Sequence, residues 1–98
     1  MSALSGQGLL EALSALANPH RLQIITALMN ETNYVSQLAR EIGISRPLLI
    51  MHLKKLEDAG LVKSRLELSG DGKAMRYYEV MKFDIHLTPE FIAKSQTS

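Results

Sequence analysis

Seven of the eleven Lys and Arg side chains in this 98-residue chain fall between positions 46 and 76: Arg46, Lys54, Lys55, Lys63, Arg65, Lys73 and Arg76. Glu57, Asp58, Glu67 and Asp71 share that stretch and leave it at +3. Residues 1–45 set Arg21 and Arg40 against Glu11, Glu31 and Glu41, and residues 77–98 set Lys82 and Lys94 against Glu79, Asp84 and Glu90. Each flank is therefore −1, and the net charge of +1 hides a cationic middle. Clustered ammonium and guanidinium groups neutralise phosphate, the main sequence-independent source of nucleic-acid affinity. Arg46 adds a planar fork able to pair with guanine O6 and N7.

Other chemistries are poorly provided. The chain has no cysteine, which excludes disulfides, thiolate metal ligands and a cysteine nucleophile. His20, His52 and His86 lack helical metal-ligand partners, and Asp84 with His86 would bring only two ligands, so no metal is expected. The two Gly-x-Gly strings, at 6–8 and 70–72, belong to a terminus and a turn. With no phosphate loop and no nucleophile elbow, neither an enzyme nor a cofactor is expected. The longest apolar run, Leu48 to Met51, is four residues, far too short to span a bilayer. Arg21 is the first basic residue, so no charged region introduces a secretory signal. A content of 46% hydrophobic and 21% charged residues suits one globular domain over 1–98, expected in the cytoplasm without a membrane contact.

The elements that must carry the cationic middle follow from periodicity and caps. Residues 1–7 are expected to be disordered. Leu9, Leu10, Leu13, Leu16 and Ala17 recur at helical spacing, until Asn18-Pro19 opens a second helix with Leu22, Ile25, Leu28 and Met29 inward. That helix fades near Asn30 to Asn33. Val35, Leu38, Ala39 and Ile42 predict a short third helix stopped by Gly43. Ser45 caps a fourth helix, Pro47 lies in its first turn, Leu49, Leu53 and Leu56 point inward, and Gly60 ends it. Two short helices around a glycine turn make a helix-turn-helix. From Leu61 the pattern alternates, with Val62, Ser64, Leu66 and Leu68 on one face and Lys63, Arg65 and Glu67 on the other. Ser69-Gly70-Asp71-Gly72 turns the chain back through Tyr77, Tyr78 and Val80, which completes a hairpin. Thr88-Pro89-Glu90 starts a short helix through about Lys94, within a C-terminal segment over 83–95. The fold class is mainly α with a small β-hairpin.

These residues resemble a known family. The run His52-Leu53-Lys54-Lys55-Leu56-Glu57-Asp58-Ala59-Gly60-Leu61-Val62, with Gly43-Ile44-Ser45-Arg46-Pro47 before it and Gly72-Lys73 and Tyr77-Tyr78 after it, is similar to the winged helix-turn-helix regulators of the ArsR-like family, archaeal type. The MarR-like regulators share much of the run. The likeness covers roughly residues 9 to 80. It implies a homodimer that binds double-stranded operator DNA, with the fourth helix, about 45–59, in the major groove and the hairpin wing, about 61–80, along the backbone. The DNA-facing residues are then Ser45, Arg46, Pro47, Ile50, Met51 and Lys54 on the helix and Lys63, Arg65, Lys73 and Arg76 on the wing. Arg76 shares a face with Tyr78 and so is open to packing or pairing instead. The resemblance places the dimer interface in the first helix and the C-terminal segment, at Leu9, Leu10, Leu13, Leu16, Phe83, Ile85, Phe91 and Ile92. This chain departs from the family on the outward face of the fourth helix, where Leu48, Ile50 and Met51 replace the usual small polar residues. Two readings stand: contact with thymine methyl groups, or a protein-interaction module that docks another polypeptide through that apolar face.

Overall fold

The computed structural model describes residues 6–31 and 33–96. Their order is α1 (Gln7–Leu16), α2 (Pro19–Met29), α3 (Val35–Ile42), α4 (Arg46–Asp58), β1 (Val62–Leu68), β2 (Ala74–Val80) and α5 (Pro89–Ser95). Three helices start with one device, a polar cap followed by proline. Asn18 Oδ1 accepts the His20 and Arg21 N–H groups at 2.9 and 3.3 Å, Ser45 Oγ accepts that of Leu48 at 3.3 Å, and Thr88 Oγ1 accepts that of Phe91 at 3.0 Å. Each cap satisfies N–H groups that have no partner inside the helix, and proline gives up none that was needed. Gly43 ends α3 at φ 81°, a left-handed conformation costly for any residue with a Cβ. A Cβ there would meet nothing within 4 Å, so conformation alone requires glycine.

The core sits where α4 lies across the other helices. Leu49, Leu53 and Leu56 are fully buried, together with Ile24 of α2, Leu38 of α3, and Ala12 and Ala15 of α1. Ala39 is buried too, small enough to let α3 and α4 approach. The stripe expected for α4 is the stripe found.

Other expectations need correction. On α2, Ile24, Ala27 and Leu28 face inward, while Leu22 and Met29 are more than half exposed. Six of its eleven residues are apolar, so their period does not select one face, and packing against α3 and α4 sets the phase. On α1 Leu9, Ala12 and Ala15 face inward, and Leu10 faces solvent at 61% exposure. Gly6 and Gln7, expected to be disordered, are held: the Gly6 N–H donates to Ser95 O at 2.7 Å, and Gln7 opens α1. The rest of that expected disorder, residues 1–5, lies outside the described residues.

The hairpin is antiparallel, in a register from Val62↔Val80 to Leu68↔Ala74. Its base belongs to the core through Leu61, Val62 and Tyr78. Leu66 and Leu68, expected on the same inward face, are 62% and 78% exposed because the strands run out past the helices. A piece not foreseen from sequence pairs with β2. Asn33 O accepts the Tyr78 N–H at 2.9 Å, Asn33 Nδ2 donates to Tyr78 O at 2.8 Å, and Tyr34 bridges to Tyr77. Asn33 is buried by these bonds, which replace the fading helix expected there.

One side chain ties three helices. Arg21 of α2 donates through Nε to Ala15 O of α1 at 2.6 Å, and its Nη1 lies 3.0 Å from His52 Nδ1 of α4. Guanidinium can only donate, so His52 Nδ1 accepts and the ring is neutral with its proton on Nε2. Burial, the Arg21 charge and then the nearby His20, 5.6 Å away ring to ring, all hold His52 below the ordinary histidine value of 6.5. The unfolded imidazole protonates near 6.5 and the folded one resists, so this contribution to stability is complete above about pH 6.5 and is lost as pH falls below it. Thermal unfolding between pH 7.5 and 5 should show a falling Tm, and His52→Asn, which keeps an acceptor for Arg21 but cannot titrate, should flatten that decline. Arg21→Ala should cost about 2 kcal/mol by urea unfolding, the loss of charge-assisted bonds to buried acceptors.

Candidate nucleic-acid interface

Burial of Leu49, His52, Leu53 and Leu56 fixes the rotation of α4 and so decides which side chains it shows to solvent. Outward come Arg46, Pro47, Ile50, Met51, Lys54 and Lys55, with Leu48 half-buried at the margin. Ile50 is 49% and Met51 62% exposed, an apolar patch between Arg46 at one end and the lysines at the other. Ser45 is exposed, but its hydroxyl is engaged by the Leu48 N–H. Pro47 has no N–H to give, so the first turn of α4 offers little free backbone to an anion, and the Arg46 side chain becomes its main donor. Arg46 has no ion pair among the described residues. Lys54 meets Asp58 one turn on at 3.4 Å, with both side chains largely in water, a pair worth little and easily exchanged.

The wing divides its cations into two groups. Lys63 and Arg65 both reach Glu79 Oε1, at 3.6 and 2.8 Å. Arg65 Nε also meets Glu67 Oε2 at 3.1 Å, and its guanidinium lies 4.3 Å from the centre of the Tyr77 ring. Tyr77 meets Tyr34 edge to face, and the Tyr34 hydroxyl donates to Glu67 at 3.2 Å. The Glu67 hydrogen bond, with the Glu67 and Glu79 charges, raises the Arg65 pKa; burial and then the bond to Glu67 raise that of Tyr34. Arg76 stays exposed and donates to Ser64 Oγ across the strands at 3.1 Å. Lys73 stands apart at the turn. Its side chain is exposed and makes no ion pair among the described residues, while its backbone N–H is held by Ser69 and Asp71. The Ser69 hydroxyl, then the Lys73 N–H, hold Asp71 below the usual carboxylate range and keep the turn closed.

Sequence reasoning missed Glu67, Glu79, Tyr34 and Arg21 as shapers of this surface. Glu79 had a signal: once the turn closes at 69–72, the register sets Lys63 directly opposite it.

Elsewhere α1 and α5 form a groove lined by Leu9, Leu10, Leu13 and Ile92, closed at its edge by the bond from Gly6 to Ser95. Of the side chains expected at a dimer interface, Leu10 and Ile92 are exposed, and Leu13 and Phe91 are partly so. Leu9 is already buried within the chain, and Leu16, Phe83 and Ile85 pack on its core. His86 and Asp84 are both exposed, and among the described residues no three His, Asp or Glu side chains converge as a metal site would require. No described helix is long and apolar enough to cross a membrane.

A helix-turn-helix with a cationic outward face and a following β-wing is a known architecture, and comparison with known proteins agrees. Residues 18–64 match the family model described as bacterial regulatory protein, arsR family. An HTH-type transcriptional regulator of Methanocaldococcus jannaschii is 41% identical over 80 residues, which cover 82% of this chain and 83% of that protein. Among solved structures, NolR from Sinorhizobium fredii superposes with a TM-score of 0.64 at 35% identity, over 76% of this chain and 69% of that one. HlyU from Vibrio cholerae superposes at 0.63 with 28% identity, over 87% and 80%. The cationic middle, the buried stripe of α4 and the hairpin that follows it are thus parts of a winged-helix DNA-binding transcription regulator, and the chain belongs to the arsR family.

Proposed function

We propose that α4 enters the major groove with Arg46, Pro47, Ile50, Met51 and Lys54 toward the DNA and Ser45 at its leading end, while Lys63, Arg65, Lys73 and Arg76 follow the flanking phosphates. The observation that carries this reading is the outward face of α4: its cations lie opposite a fully buried leucine stripe, so they cannot turn away from a ligand. The regulator works as a single domain and a homodimer in the cytoplasm, by binding rather than by catalysis and without a bound metal. One core gathers residues from α1 to β2, and the apolar groove of α1 and α5 shares no lining residue with the proposed DNA-facing set, which leaves it to a second copy. Two-fold symmetry then asks for half-sites centred about 34 Å apart, one helical turn of the duplex. Nothing in the comparisons favours the protein-docking module as an alternative.

Within this arrangement Arg46 and Lys73 have separable duties. Arg46→Ala should relax preference at one base pair and cost about 1–3 kcal/mol on a duplex recovered by selection from random-sequence DNA. Lys73→Ala should weaken all duplexes alike and flatten the plot of log K against log salt by about 0.9, one phosphate contact. Titration of fluorescent duplexes from 50 to 300 mM salt reads both, and no binding at the lowest salt would contradict the reading. Lys63 and Arg65 must exchange Glu79 for phosphate, so Glu79→Gln should tighten binding and steepen the same plot. Removing both cations as well should abolish that gain. In the α1–α5 groove, Leu10→Asp should turn dimer into monomer by sedimentation and cut operator affinity at least tenfold while leaving Tm within a few degrees, because Leu10 is exposed in the single chain.

A further inference from the structure

We infer that this regulator reads thymine, through its C5-methyl group, with Ile50 and Met51. The inference rests on the placement of α4 proposed above and adds the identity of the bases it contacts.

Base edges in the major groove are told apart by complementary chemistry. Asn or Gln serves adenine, Arg or Lys guanine, Glu or Asp cytosine, and an apolar group the thymine methyl. The outward face of α4 holds a narrow selection from this set. Arg46, Lys54 and Lys55 are its donors, Ile50 and Met51 its apolar groups, and it carries no Asn or Gln at all. Ser45 at its leading end already accepts the Leu48 N–H as the helix cap. The carboxylates Glu57 and Asp58 lie in the last turn, where they meet Ser64 and Lys54.

The surrounding charge names DNA as the occupant of the patch. Ile50 and Met51 sit between Arg46 and Lys54, on the most cationic stretch of the chain, and a polyanion bearing apolar groups in its groove complements that pattern. Ile50 follows Arg46 by four residues, about 6 Å along the helix axis, so the thymine lies roughly two base pairs from the guanine read by Arg46. Leaving water for contact with a methyl group also removes exposed apolar surface from both partners.

Deoxyuridine differs from thymidine here only by the missing methyl. Duplexes recovered by selection with the wild-type protein are remade with single thymine-to-uracil replacements, and each Kd is measured at one salt concentration. One or two thymines per half-site should each lose about fourfold, the burial of one methyl-sized group. Ile50→Ala or Met51→Ala should erase the uracil effect at its own position, whereas Lys73→Ala should weaken binding and leave that effect intact. Both α4 side chains are exposed, so melting curves should show these variants folded. Uracil tolerated at every position, half-sites without thymine, or full uracil sensitivity in both alanine variants would overturn the inference and leave the placement of α4 standing. Failure to recover any duplex would overturn both.

Discussion

Three leucines set the geometry on which everything else depends. Leu49, Leu53 and Leu56 are fully buried, and each would lose on the order of 2–3 kcal/mol if turned to water. Rotating α4 by a third of a turn would expose them, so the helix has one permitted orientation. That orientation puts Arg46, Ile50, Met51 and Lys54 outside. The same residues that stabilise the core thereby aim the face proposed to meet DNA, and mutation of the stripe would damage both together. Arg21 reinforces the setting from beneath, since its bonds to Ala15 O and His52 join α1 and α2 to the buried side of α4. A change in the packing of α1, which lines the proposed dimer groove, thus reaches α4 both directly and through Arg21.

The surface shows restraint of its own charge. Glu79 and Glu67 hold two of the wing cations, and a tyrosine pair packs beneath Arg65. Surface ion pairs of this kind contribute little to folding. On the proposed placement their effect falls on affinity instead, because a cation already paired gives less on meeting phosphate. Lys73, unpaired at the turn, is poised to contribute in full. A regulator must leave its operator as well as find it, and on the proposed placement a wing with carboxylates built in would temper non-specific adhesion to DNA.

Much of this was legible in the residues. Pro19, Pro47 and Pro89 behind Asn18, Ser45 and Thr88 marked three helix starts, and Gly43 and Gly60 marked two ends, because those positions obey local backbone rules. The α4 stripe was readable from Leu49, Leu53 and Leu56 at helical spacing, since Lys54, Lys55, Glu57 and Asp58 leave the second half of the helix one apolar face. On α2 the apolar residues crowd more than one face, so only tertiary packing chose Ile24 and Ala27 over Leu22 and Met29. Leu66 and Leu68 alternate like core residues, yet the hairpin extends beyond the helices that could cover them. The outward cations of α4 followed from its stripe, whereas the Arg65 cluster depends on a cross-strand register and on Tyr34, brought in from 43 residues away in sequence at its contact with Tyr77.

The central claim is that the outward face of α4 lies in the major groove, once per protomer of a symmetric pair. Dimethyl sulfate methylates guanine N7, which faces that groove, so interference mapping on a duplex recovered by selection tests the claim directly. The account predicts two clusters of interfering guanines about ten base pairs apart on one side of the duplex, with the Arg46→Ala protein losing interference at one guanine in each. Interference absent from the major groove, or a single unpaired cluster unaffected by Arg46→Ala, would contradict it.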